Sequence, residues 1–232
     1  PMEPGHVNRV ALTFDDGPGP ETADLVRFLV DEQAAATFFV LGQNCELRPE
    51  VVTMMRDAPG IELATHSYSH PDLHHLDDEE IRDELERSNC LVTEPGGQTP
   101  PLFRPPYGHR DRRVDGIARE LGQSVALWTL NSMDFKDDHH TTEHVLQNVR
   151  PGDVILFHDT HHSTVTATRE LVPALRSRGF ELVTMSELLG PCVPGRVYRG
   201  RNGARVRLSR WLKLQVLRVR HRARMMRARP PR

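Results

Sequence analysis

Apolar and polar positions along the chain follow two alternating rhythms. Val10, Ala11, Leu12 and Phe14 form an apolar, β-rich run that stops at the acidic turn Asp15-Asp16-Gly17-Pro18. Over residues 21–31 the rhythm changes, with Ala23, Leu25, Val26, Leu29 and Val30 recurring at helical spacing. A second strand is predicted over 37–41, closed by Gly42. A short helix is predicted over 49–56, with Pro49 at the one helical position that tolerates a missing N–H. Residues 61–64 read as a third strand. Residues 77–92 read as a helix opened by Asp77, with first-turn acids that suit the positive end of the helix dipole.

Further along, residues 102–103 lead into Arg104-Pro105-Pro106-Tyr107-Gly108, too rich in proline for a helix. A helix over 111–121, a strand over 124–130 and a helix over 142–149 follow. After a Pro151-Gly152 turn come a strand over 153–157, a helix over 164–178 that ends at Gly179, and a last strand over 180–184. About seven βα units with no internal repeat imply a parallel sheet. The pattern fits either an open doubly wound sheet or a barrel of about seven strands. Every suspicious polar cluster falls at the C-terminal end of a strand, the rim that carries the active site in α/β barrels.

Composition changes this picture little. The chain has 232 residues, 38% hydrophobic and 27% charged, as an ordinary globular protein does. No run approaches the roughly 18 apolar residues of a membrane-spanning helix. The first eight residues lack the apolar stretch of a secretory signal, and residue 1 is Pro, which fits a processing site. The expected location is thus the cell envelope or exterior if a signal was removed, and otherwise the cytoplasm. Cys45, Cys90 and Cys192 fall in no CxxC motif and are expected as buried thiols, with one bridge if the protein is secreted.

Charge changes it more. The stretch 196–232 holds 14 Lys and Arg and no acid, which leaves 16 of the 30 basic residues against 32 acidic ones before it. An acidic body over 1–190 therefore carries an arginine-rich extension over 191–232. Leu208, Trp211, Leu212 and Val219 fall near one face of a possible helix there, which suits an anionic membrane surface or a polyanion; a disordered, soluble extension fits equally.

Five clusters carry candidate chemistry. In TFDDGP (13–18) two adjacent carboxylates end a strand, and their mutual repulsion calls for a cation or a raised pKa, although Asp-Gly and Gly-Pro are also common turn dipeptides. In HSYSH (66–70) two imidazoles four apart can chelate one ion, with Pro71 favouring a tight turn over a helix. Two His and one Asp suit Zn²⁺ or a similar divalent ion and leave positions open for water. In RPPYG (104–108) a guanidinium can hold a carboxylate by two hydrogen bonds. NSMDF (131–135) follows a strand, and LFHD (156–159) places His158 at a strand end, where imidazole can donate a proton near neutral pH.

Taken in order, these five stretches resemble the five motifs of the polysaccharide deacetylases (carbohydrate esterase family 4, the NodB-homology domain), over about residues 9–189. The resemblance implies a distorted (β/α)7-type barrel and metal-dependent hydrolysis of acetyl groups from N-acetylated sugars. It implies Asp16, His66 and His70 as ligands of a divalent metal, usually Zn²⁺, with Co²⁺, Ni²⁺ or Mn²⁺ as substitutes. It implies Asp15 as general base, positioned by Arg104, and His158 as the acid toward the leaving amine, held by Asp134. The Tyr107 N–H would face the oxyanion, Leu156 would line the acetyl-methyl pocket, and Phe135 would form an apolar wall.

Two departures stand out: Phe135 where the family most often has Trp, and Asn131 where it often has Asp. Neither removes a proton carrier, so an active enzyme with altered substrate fit is expected. The rival expectations are a deacetylase of a small N-acetylated glycoside or natural product, an O-acetyl esterase, and an inactive glycan- or polyanion-binding protein. Further histidines (His74-His75, His139-His140 with His144, His161-His162) suggest a second metal site but fit solvated loops better.

Overall fold

The computed structural model describes residues 8–93, 97–134 and 138–200. Phe135 and residues 201–232 lie outside these, and with them the expected apolar wall and the arginine-rich helix.

Strand β1 (Asn8–Asp15) organises the fold. Its period-2 alternation sends Val10, Leu12 and Phe14 outward into a cluster with Leu25, Val26 and Leu29 of helix α1 (Thr22–Asp31). Ala11 faces the opposite way, into an interior cluster with Phe39, Ala64, Leu102, Ala126 and Val154. Thr13 and Asp15 share that inner side and are buried. Phe14 stacks between Phe38 and Phe157, with ring centroids 4.9 and 5.4 Å apart. A one-residue slip of β1 would drive Phe14 inward and Asp15 against the helices, so the apolar pattern sets the register that delivers the polar rim.

The chain then runs through β2 (Ala36–Val40), α2 (Gly42–Leu47), α3 (Pro49–Asp57) and β3 (Ile61–Thr65). A 3₁₀ turn at Leu73–His75 leads to α4 (Asp78–Val92), which starts from a capping box between Asp77 and Glu80. Next come β4 (Leu102–Phe103), α5 (Arg112–Glu120), β5 (Ser124–Ala126), β6 (Leu130–Asn131), α6 (Asp138–Asn148), β7 (Val154–His158) and α7 (His162–Ser177). The described chain closes with β8 (Phe180–Leu182), α8 (Met185–Leu189) and β9 (Val197–Tyr198).

All strand pairs are parallel, in the order β6-β7-β1-β2-β3-β4-β5-β9, with β8 added to the start of β1. The result is the expected α/β barrel, incomplete: β6 and β9 are its edges, and an isolated bridge links Asp153, just before β7, to Gly200, just after β9. The strand expected over 124–130 is in fact two. At Leu127 the backbone N–H donates to Tyr198 O, and at Thr129 to Val154 O, so the chain changes partner between β5 and β6. Beyond residue 190, β9 still belongs to the sheet. The three thiols are free; only Cys45 is buried as expected, whereas Cys90 is exposed on α4 and Cys192 is half-buried.

Candidate active site

The C-terminal ends of β1, β3, β4 and β7 converge on one polar cluster. Asp16 follows β1 directly, and His66 and His70 follow β3. The Asp16 Oδ1 lies 3.5 Å from His66 Nε2 and 3.4 Å from His70 Nε2. That oxygen is buried and makes no hydrogen bond, an expensive state for a carboxylate unless a cation completes it. Ligands around a tetrahedral ion with bonds of about 2.0–2.1 Å lie about 3.4 Å apart, so the three residues can hold a metal ion.

The candidate ligands are oriented from behind. His66 Nδ1 meets the Arg104 carbonyl at 2.7 Å, which places its proton there and leaves the Nε2 lone pair toward Asp16. Burial holds the His66 imidazole down at about 3, against the pull of Asp16, so it stays neutral as a ligand must. The His70 N–H donates to Ser67 Oγ at 3.1 Å. Glu84 of α4 accepts from the N–H groups of Tyr68 and Ser69 at 2.9 and 2.8 Å and from the Ser69 hydroxyl at 2.6 Å, holding the HSYSH turn.

Asp15 ends β1 with its side chain inside the barrel, paired with the Arg104 guanidinium at 2.5 Å. Arg104 is fully buried. It also donates to Thr13 Oγ1 at 3.0 Å and to Ala126 O at 3.2 Å, and its plane lies 3.8 Å above the Phe39 ring. Burial pushes the Asp15 carboxyl above the usual range, while Arg104 pulls it back. Its Oδ2 points the other way, 3.8 Å from His66 Nε2.

Across the strand pair, β7 places His158 beside Asp15 in register. His158 Nδ1 lies 3.0 Å from Asp134 Oδ1, and its backbone N–H donates to Asp134 Oδ2 at 2.5 Å. The Thr164 hydroxyl donates to the same Oδ2 at 2.9 Å. Burial works against the imidazolium, but the hydrogen bond and charge of Asp134 outweigh it and lift His158 to about 9. Asp134 itself is held low: burial opposes its charge, and the His158 and Thr164 contacts more than offset that.

Leu156 lies two residues before His158, on the same face of β7 and buried. Tyr107 sits in a 3₁₀ turn (Pro106–Gly108) with its ring edge-on to His70 at 4.6 Å. Its φ is +60°, and Asp16, Ser67, His70 and Met133 also have φ between +63° and +74°. Among the described non-glycine residues only Gln33 joins them. Each such backbone stores roughly 1–3 kcal/mol, and such strain concentrates at functional sites.

All the expected site residues among those described therefore meet at one rim. Sequence reading assigned nothing to Thr13, Glu84 or Thr164, whose partners are distant in sequence. It also gave no role to Asp159, within LFHD. The Asp159 carboxyl is buried under Gly17 and accepts from the Thr22 hydroxyl; burial pushes it up to about 7. A Cβ on Gly17 would lie 2.1 Å from that carboxyl.

The fold and the cluster define an α/β-barrel protein whose strand ends carry a carboxylate and two imidazoles that could hold a metal ion, flanked by an Asp–Arg pair and an Asp–His pair. The family described as polysaccharide deacetylase matches residues 3–126. The chain is 34% identical over 183 residues to the peptidoglycan-N-acetylmuramic acid deacetylase PdaC of Bacillus subtilis, covering 77% of this chain and 38% of that protein. It is 33% identical to a Bacillus cereus peptidoglycan-N-acetylglucosamine deacetylase, covering 77% of this chain and 67% of that one. A solved structure titled T48 deacetylase with substrate superposes with a TM-score of 0.76 at 35% identity, over 82% of this chain and 95% of the other. The chain thus spans about two fifths of the length of PdaC. It belongs to the polysaccharide deacetylase family.

Proposed function

We propose that this protein hydrolyses acetyl groups from the N-acetylated sugars of a glycan, with N-acetylglucosamine units as substrate and a divalent metal as cofactor. The observation that carries this reading is the buried, unbonded Asp16 Oδ1 facing two imidazole nitrogens. A carboxylate–guanidinium pair flanks it on one side and a carboxylate–imidazole pair on the other. Asp16, His66 and His70 would hold the ion, and two imidazoles with one carboxylate favour zinc. Such an ion acidifies water and polarises a carbonyl.

The chain's own groups then divide the proton transfers. Asp15 takes the proton of the attacking water. Arg104 fixes its Oδ1, so the free Oδ2 is the oxygen that does so. His158, protonated at neutral pH, gives its proton to the departing amine; Asp134 holds Nδ1 and leaves Nε2 for that transfer. The Tyr107 N–H would donate to the developing oxyanion. Leu156 would bound the acetyl methyl, and Phe135 the sugar. The likeness to peptidoglycan deacetylases supports an acetylated wall polymer as substrate, and the cell envelope would be its place of action.

The test is to incubate the protein with N-acetylglucosamine oligomers and, separately, with O-acetylated xylan. A free amine should appear on the oligomers along with acetate. Release from the ester alone would replace amide hydrolysis by esterase activity.

A further inference from the structure

We propose that Asp72, His74 and His109 form a second divalent-metal site, separate from Asp16, His66 and His70, that takes a late first-row ion such as zinc, nickel or copper. One ligand atom from each lies within 4.8 Å of the other two. They come from two loops, Asp72 and His74 from the one between β3 and α4, His109 from the one between β4 and α5. Two imidazoles and a carboxylate are the donor types such ions prefer.

The carboxylate is already oriented. Asp72 Oδ1 accepts from the His74 N–H at 3.2 Å, as the cap of the 3₁₀ turn, which leaves Oδ2 to hydrogen-bond with the His109 ring. That second oxygen lies 3.0 Å from His109 Nδ1 and 3.8 Å from His75 Nδ1. The rings of His74 and His109 lie parallel within 8°, their centroids 5.5 Å apart. The base of the loop is fixed too. Leu73 is fully buried, and Arg113 of α5 donates to Leu76 O at 2.9 Å and His74 O at 3.4 Å. Asp111 and Asp78 take up the Arg113 charge at 3.2 and 3.3 Å, so it does not stand unbalanced beside the cluster.

The position matters. The Tyr107 ring lies 5.7 Å from His109 and 4.6 Å from His70, so a single aromatic ring separates the two metal groups. An ion at Asp72 ties the loop that carries Tyr107 and His109 to the one that carries His70, Asp72 and His74. His74 and His109 are exposed, whereas His66 is buried, so the second ion binds more weakly than the first.

The test is zinc titration of the full, metal-stripped chain by calorimetry, which reads stoichiometry without any activity. Two ions should bind per chain, the second more weakly. The variant His74→Ala/His109→Ala should bind one. Asp72→Asn keeps the oxygen that caps the turn and removes the charge, so it should weaken the second event by roughly tenfold or more; it decides the matter if the double variant does not fold. His140→Ala/His144→Ala, at another histidine pair, should still bind two. A wild-type chain that binds one ion, or a second event unchanged in either Asp72 or His74/His109 variant, overturns the proposal.

Discussion

Replacing Arg104 with Met removes a buried cation while roughly keeping its volume. The guanidinium now faces Asp15 at 2.5 Å, Thr13 at 3.0 Å and the Ala126 carbonyl at 3.2 Å, with no exposure to solvent. Arg104→Met therefore leaves Asp15 buried opposite an apolar chain. Breaking one side of a buried pair costs about 3–5 kcal/mol, because the remaining charge keeps its desolvation penalty. In a domain of this size that corresponds to a fall in Tm of about 6–20 °C.

The pH dependence gives a second handle on the same substitution. Burial already raises Asp15 above its unfolded value, and losing Arg104 raises it further. A carboxyl with a raised folded pKa is stabilising while protonated and loses that contribution as pH climbs from its unfolded value, about 4, through the folded one. The deficit of Arg104→Met should accordingly shrink at pH 5 and be full at pH 8. Urea unfolding of both chains at the two pH values measures it. Adding Asp15→Asn to Arg104→Met should recover stability at pH 8. A deficit under about 1 kcal/mol, or a double variant no more stable than the single, would mean that Asp15 does not carry a buried charge that depends on Arg104.

Other consequences follow from the same geometry. Asp134→Asn should drop the His158 pKa from about 9, read by NMR titration of its ring. Because a raised His stabilises below about 6.5 and loses that contribution as pH rises through about 9, the variant should also lack the decline in stability the wild type shows across that window, up to roughly 3 kcal/mol. Glu84→Ala removes the acceptor that holds the Tyr68-Ser69 turn. It should lower metal affinity about 10–100-fold in chelator competition, with the fold intact by circular dichroism. Gly17→Ala places a methyl within 2.6 Å of all three Asp159 carboxyl atoms. It should cost at least about 1–3 kcal/mol in thermal unfolding, and Asp159→Ala should restore part of it.

How much of this was legible in the sequence follows from what local pattern can encode. The β1 alternation and the helical spacing of Leu25, Val26 and Leu29 are local, and they placed the strand and its covering helix correctly. The strand-end polar residues stood out because an apolar run that stops at Asp-Asp or at His is chemically conspicuous. Short elements were hidden for the opposite reason. The two-residue strands β6 and β9 exist through their partners β7 and β5, and nothing in Leu130-Asn131 or Val197-Tyr198 alone demands pairing. Helix α2 has no counterpart in the sequence reading, which closes a strand at Gly42 and assigns no element before the helix at Pro49. The supporting residues Thr13, Glu84, Thr164 and Asp159 gain meaning only from groups far along the chain, such as Arg104 for Thr13 and Asp134 for Thr164.

In the proposed amide hydrolysis Asp16, His66 and His70 would hold one metal ion, and Asp15 beside them would take the proton of the attacking water. The direct measurement is acetate release from N-acetylglucosamine oligomers by metal-stripped protein, with and without one equivalent of zinc, alongside Asp15→Asn carrying the same zinc. Zinc should restore release, and Asp15→Asn should lack it by roughly 10²-fold or more. Equal release by the stripped and zinc-loaded protein, or by Asp15→Asn, would contradict these roles.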